Sequence, residues 1–378
     1  MRRPARFALP AIAPSSEITP PEELPSGPFD FVFSIHQPSG TLLLLPELDR
    51  NFLSAVRAAI HREPESHLAE SADFIRGAIA QTGPRKKRLS ILGVTEKDRS
   101  LVNLLVDQGL GEGHVLFPEL HSLEAQEILS SHSESFTVPA PDLLIVRHLL
   151  EHARDIDAFL WGLARKIAPG GLCLIEVPES RGLLSSGDLT QVWEEHTAYF
   201  TRETLRRSLV ANNLQLVSEL SLESEGEELC LAVVHSRSGH LKDRNVGEPL
   251  LATSFIEKLP KQLDDLRSGF PSRVAGREMY LFGANHVSGF FADLLWSFGH
   301  TPVSILDDDP QKWGKTMGLG RTKISSPERV DLDKPVHLIV GVAEGRAPAL
   351  YNRLQTLFPK EYGHKVERLD LLYRESWT

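Results

Sequence analysis

The chain has 378 residues, 41% hydrophobic and 24% charged, which excludes a fibrous or wholly disordered polymer and leaves room for two or three cores. Its 51 acidic against 41 basic residues give a net charge of -10, and the tight basic cluster at 85–88 runs straight into an apolar stretch, so nucleic acid is not expected as a partner. No apolar run reaches the roughly 20 residues of a membrane span.

Cys173 and Cys230 both sit inside apolar runs, with no CxxC pattern, so neither a disulfide framework nor a thiolate zinc site is expected and a reducing cytoplasm fits.

Residues 1–27 carry arginines ahead of a short apolar patch broken by Pro10 and Pro14, and read as a flexible tail rather than a signal peptide. FDFVFSI and TLLLLPE flank HQPSG, which predicts a hairpin over 29–47, and Phe52, Val56 and Ile60 continue with helical spacing, so 28–84 forms a small N-terminal module.

From residue 85 strands and helices alternate. RLSILGV, HVLF, PDLLIVRHLL and LCLIEVP read as strands, SLVNLLVDQGL as a helix, and Asp155 caps a further helix that stops at Pro169-Gly170-Gly171. The expected fold class is α/β, with a mainly parallel sheet. LQLVSELSL and ELCLAVV are joined only by ESEGE, too short for a parallel crossover, so the sheet ends in an antiparallel hairpin and the domain spans 85–238. A linker and helix occupy 239–270, and EMYLFGA opens a second α/β unit, a Rossmann-like domain at 271–378.

The segment VWEEHTAYFT, residues 192–201, places two carboxylates and an imidazole just after a strand end, where α/β folds bind ligands. Glu195 and His196 are therefore candidate site residues; the alternative is a loop whose Thr201 caps the next helix while Tyr199 and Phe200 cover the sheet. Glu119, just past HVLF, stands where such folds place an acid for ribose hydroxyls, or it is a solvated loop acid. Gly283 ends a strand and Asp307 ends the next, 24 residues on. GANHVSG lacks the full GxGxxG pattern, which favours a nucleotide-sugar cradle or a structural layer over dinucleotide binding. Gly314, Gly318 and Gly320 suggest a mobile loop.

The order IVRHLLEHARD, IAPGGLCLIEVPE, VWEEHTAYFT and TRETLRRSLVANNLQLV resembles the later half of class I S-adenosylmethionine-dependent methyltransferases, nearest to nucleotide-sugar C-methyltransferases. LFGANHVSGFFADLL with SILDDDPQKWGK is similar to the second Rossmann-like domain of that family. The resemblance implies a class I methyltransferase core, S-adenosylmethionine as cofactor and a nucleotide-linked keto sugar as substrate. It also implies catalytic roles for His196, Glu195 and His152, with His196 as general base assisted by Glu195.

Cofactor contacts are expected from Gly93, Glu119 and His148, and substrate contacts from Trp193, Tyr199, Gly283 and Asp307. Trp193 stands where relatives often have Tyr. Two departures are visible: the hairpin has none of the family's four zinc-binding cysteines, so no zinc is expected, and the loop ILGVTEKDRSLV keeps only Gly93 of its glycines. They motivate a second reading, a degenerate methyltransferase-like binding or scaffold protein; a third, a nicotinamide-dependent oxidoreductase, would use the C-terminal site instead.

Overall fold

The structure, a computed structural model, describes residues 6–13, 15, 17–25, 27–45, 63–82, 86–117, 125, 129, 139–224, 227–236, 250–342 and 347–377. Three sheets organise it. The first is antiparallel, in the order β1 (Phe7–Ala8), β3 (Val32–Ile35), β4 (Leu42–Leu45), β9 (Ala198–Tyr199). The second runs β10 (Leu214–Ser224), β11 (Glu227–Ser236), β8 (Leu172–Pro178), β7 (Leu143–Arg147), β5 (Leu89–Thr95), β6 (Gly111–Phe117). The third runs β17 (Lys365–Arg368), β16 (Val336–Val340), β12 (Glu278–Phe282), β13 (Ser304–Leu306), β15 (Thr322–Ser325), β14 (Thr316–Met317), β2 (Ile18–Thr19).

In the second sheet β6, β5, β7 and β8 are mutually parallel, and β8, β11 and β10 pair antiparallel. The parallel strands are covered on both faces, which is why LSILGVT, LLIVR and LCLIEVP are continuous apolar runs rather than alternating ones. The chain leaves β5 for β6 on one side and returns to β7 on the other. The strand order therefore switches beside β5, where open α/β sheets bind ligands at their carboxyl ends.

Helices α1 (Glu65–Thr82) and α2 (Arg99–Asp107) pack Ala72, Ile75, Leu101 and Leu105 on one face of this sheet, and α3 (Ile156–Lys166) with its flanks packs Phe159, Leu160 and Leu163 on the other. The Asp155 side chain accepts from Ala158 N at 2.9 Å and Thr201 accepts from Thr204 N at 3.2 Å, so both expected caps form. Helices α4 (Arg181–Ser186) and α5 (Arg202–Ala211) lie between β8 and β10 along the chain, and in the third sheet β17, β16, β12, β13 and β15 are parallel, with helix α7 (His286–Ser297) following β12. No helix among the described residues is long and apolar enough to cross a membrane.

Several expectations are corrected. The N-terminal segment is a strap rather than a free tail: β1 pairs with β3, β2 pairs with β14, and Gly289 lacks a Cβ where the Ser15 carbonyl oxygen would lie 1.8 Å from it. The N-terminal module divides between two cores. The hairpin shares a core with the third sheet and with α6 (Leu250–Val274), whereas α1 belongs to the second sheet; residues 46–62 lie outside the described ones. Helix α6 runs through Pro260 and Pro271 to Val274, past the expected boundary at 270. The strand expected over 141–150 stops at Arg147, because His148 takes φ 49 and turns the chain into a short 3-10 helix, Leu150–His152. Gly318 and Gly320 lie against Asp293 and Trp296 of α7, so their missing side chains permit a packed turn.

Asp98 gives one pH-dependent expectation. Its Oδ2 accepts from Val94 N and Thr95 N at 2.7 and 2.9 Å, closing the loop after β5. Complete burial nevertheless raises its carboxyl to about 7, against those amides and the charge of Arg147, with Glu176 adding to the rise. A carboxyl raised on folding is favoured while protonated, so stability falls as pH climbs from about 4 to about 7, by roughly 3–5 kcal/mol. Asp98→Asn is expected to flatten that fall in urea titrations across this range; an unchanged slope would contradict it.

Candidate active site

The candidate site forms where β7 and β8 end and the 188–197 segment crosses them. Alternation fixes that segment: Tyr199 enters the core shared with the hairpin, whereas Ala198 and Phe200 enter the core of the second sheet. β9 is held to β4 by the pairs Leu42↔Tyr199 and Leu43↔Ala198. Thr197 Oγ1 donates to the carbonyls of Glu151 and Ala153 at 3.2 and 2.9 Å, locking the segment to the 3-10 turn.

His152 and His196 come together, with ring centroids 5.0 Å apart, and Trp193 lies 5.0 Å from His196. His152 Nδ1 donates to the Glu195 carbonyl at 2.8 Å, a bond that fixes its tautomer because a carbonyl only accepts. His286, the first residue of α7, stacks on Trp193 at 5.3 Å and brings the third sheet's unit to the site. Sequence reading missed His286, since a residue following an expected strand-to-helix turn carries no mark of a neighbour almost a hundred positions away.

The carboxylate serving His196 also differs from the expected one. Burial and then the charge of His152 hold the His196 imidazole well below its usual range, and Glu151 opposes them by favouring the charged ring. Glu151 is 2% exposed. Burial alone would raise its carboxyl, but the His148 hydrogen bond and the charges of His152, His148 and His196 outweigh that and hold it down to about 2. Glu195 has another role. Burial and the adjacent Glu194 push its carboxyl up to about 8, against Lys97, and its Oε1 is buried without a hydrogen-bond partner among the described residues. Glu195 thus acts through its backbone carbonyl on His152, and Glu151 replaces it as the anion facing His196. The signal was present in RHLLEH, where Glu151 adjoins the chosen His152.

Behind Glu151 lies a buried ion network. Arg147 Nε donates to Glu176 Oε1 at 3.0 Å, and its other nitrogens reach Glu63 and the Lys97 carbonyl. His148 is held between Glu176, 3.1 Å away, and Glu151, 3.5 Å away; burial would lower it, but those two carboxylates raise it to about 10. His148 is therefore a cation of this network, a correction to its expected contact with the cofactor.

Other expected contacts are structural. A Cβ on Gly93 would lie 2.7 Å from Asp98 Cβ and 3.0 Å from Val102 Cγ2, so this glycine admits its own loop and helix rather than a cofactor. The Tyr199 hydroxyl donates to the Trp193 carbonyl and accepts from the Trp193 amide, both at 3.1 Å, which commits it to the loop. Gly283 turns the chain at φ 96. Asp307 accepts from Ala284 N, Asp309 N and Lys312, so it holds that turn. Trp193 remains a candidate substrate contact, its indole N–H buried without a hydrogen-bond partner among the described residues. Glu119 lies outside the described residues.

The sequence profile of a family described as "Methyltransferase domain" matches residues 62–219. The C-methyltransferase NovU of Streptomyces niveus is 23% identical over 266 residues, covering 66% of this chain and 59% of that protein, so the chain spans about three fifths of the curated relative's length. Among solved structures, CalO1, a methyltransferase in calicheamicin biosynthesis, is 15% identical with a TM-score of 0.30 over 45% of this chain and 54% of its own. The 1,6-didemethyltoxoflavin-N1-methyltransferase of Burkholderia thailandensis is 13% identical, with a TM-score of 0.32 over 55% of this chain and 96% of its own. At TM-scores this low neither adds to the description of the fold.

Residues 62–219 are similar to a methyltransferase domain, and S-adenosylmethionine is the cofactor that such a domain takes. The side chains at the switch point fit its cationic methionine end: Thr95 Oγ1 and Asp98 Oδ1 after β5, and Glu151 Oε2 after β7, are buried acceptors without a partner among the described residues.

Proposed function

We propose that the protein is an S-adenosylmethionine-dependent C-methyltransferase acting on a nucleotide-linked keto sugar, with His196 as general base. The observation that carries this reading is the convergence of His196, His152 and the buried Glu151 carboxylate at the carboxyl ends of β7 and β8. The likeness to NovU supports the carbon acceptor, and the resemblance of the sequence supports the nucleotide sugar.

The cofactor supplies an already activated methyl group. Thr95 and Asp98 would hold its ammonium. The chain's remaining task is to orient the acceptor and remove the weakly acidic proton beside its ketone. His196 takes that proton, the Glu151 carboxylate stabilises the imidazolium so formed, and His152, fixed by the Glu195 carbonyl, holds the second polar position. Burial of Glu195, Glu151 and His152 keeps bulk water from the groups around the base.

Proton exchange tests the assignment. In deuterium oxide the protein is expected to exchange the hydrogen beside the ketone of a nucleotide-linked keto sugar, read by nuclear magnetic resonance, and His196→Gln is expected to stop it. Exchange at the same rate in the variant would assign the base elsewhere.

A further inference from the structure

We propose that Glu151, His152 and His196 also form a binding site for a divalent cation of the zinc class, and that a cation seated there silences the site by taking the His196 lone pair. Cation binding stands on the geometry alone, whereas silencing rests on the base role proposed for His196. The expectation of no zinc concerned thiolates, and this site needs none.

One ligand atom from each of the three residues lies within 4.8 Å of the others. Zinc holds nitrogen and oxygen ligands at about 2.0–2.2 Å, which sets tetrahedral ligands about 3.4 Å apart. Closing the difference takes a shift of about 0.7 Å from each member of a pair, within reach of a small side-chain rotation. Glu151 is 2% exposed; its Oε1 faces His148 at 3.5 Å, while its Oε2 has no hydrogen-bond partner among the described residues and so offers a buried acceptor to a further cation.

The histidines are prepared in the way metal-ligating imidazoles are. His152 carries its proton on Nδ1, bonded to the Glu195 carbonyl, which leaves the lone pair on Nε2. Thr197 pins the carbonyls of Glu151 and Ala153 on either side, so the turn that presents both Glu151 and His152 is fixed before any ion arrives. Two imidazoles and one carboxylate suit zinc, nickel or copper, and disfavour magnesium and calcium, which take oxygen ligands. Three protein ligands leave a fourth position for water. The neighbouring cluster of Glu63, His148 and Glu176 offers no such site, because the Arg147 guanidinium already bonds both carboxylates.

Equilibrium dialysis of the full chain against Zn2+ alone tests binding without any turnover. About one Zn2+ per chain is expected, unaffected by excess Mg2+, with affinity lowered roughly ten-fold or more in Glu151→Gln and in His152→Asn. Unchanged affinity in both variants, with circular dichroism showing them folded, would overturn the site. Should neither variant fold, Co2+ added to the wild-type protein decides: strong visible absorption of a four- or five-coordinate ion supports the site, and the weak spectrum of the hydrated ion overturns it. Bound Zn2+ is further expected to stop methyl transfer until a chelator removes it, and unaltered transfer with zinc bound would overturn the silencing. A chain that never transfers methyl would refute the proposed function, while dialysis and cobalt absorption would still decide the cation site.

Discussion

Replacing His196 with alanine is expected to lower methyl transfer by roughly 10² to 10⁴, the usual loss when a general acid or base is removed, with folding retained. His196 is half-buried, and its amide bond to the Trp193 carbonyl at 2.9 Å survives truncation, so the loop should keep its shape. Two companion variants separate the carboxylates. Glu195→Gln keeps the backbone carbonyl that orients His152 and is expected to cost less than about ten-fold, whereas Glu151→Gln removes the charge facing His196 and is expected to cost more than that. Steady-state kinetics on all three variants provides the check. A larger loss in Glu195→Gln than in Glu151→Gln would restore Glu195 as the partner of the base.

The second large effect is on stability. Arg147 is fully buried at the end of β7, bonded to Glu176, itself 0% exposed, and to Glu63. Arg147→Ala leaves Glu176 without its guanidinium in the interior, facing the histidines His67 and His148 among the described residues. Breaking such a pair on one side costs about 3–5 kcal/mol, much more than the pair itself contributes, because the remaining charge is stranded away from water. Urea unfolding is expected to show a loss of that size. A loss under about 1 kcal/mol would mean that water reaches Glu176, and that the network is not the closed core described above.

How much of this was legible in the sequence depended on range. The continuous apolar runs of β5, β7 and β8, the caps Asp155 and Thr201, and the hairpin of β10 and β11 all follow from local pattern, and all form. The segment holding Glu195 and His196 stands out because two carboxylates and an imidazole follow a strand end. What stayed hidden depends on distant pairing. Strands of two residues, such as β1 and β2, carry no periodicity, so the strap read as a tail. The end of β7 was placed too late because the apolar run continues through Leu149 and Leu150, and a positive φ at His148 leaves no trace in composition. The roles of Glu151, Arg147 and His286 depend on which strand ends and helix starts converge, and spacing along the chain does not encode that. Gly93 stood out as the last glycine of a cofactor loop, whereas its need is close packing against Asp98 and Val102.

The central claim is that the switch point beside β5 binds a sulfonium methyl donor next to the His196 cluster. Calorimetric titration of the full chain with S-adenosylmethionine tests it most directly. Saturable heat at one site per chain, weakened in Asp98→Ala, is the expected result; no heat of binding at millimolar cofactor would contradict the account.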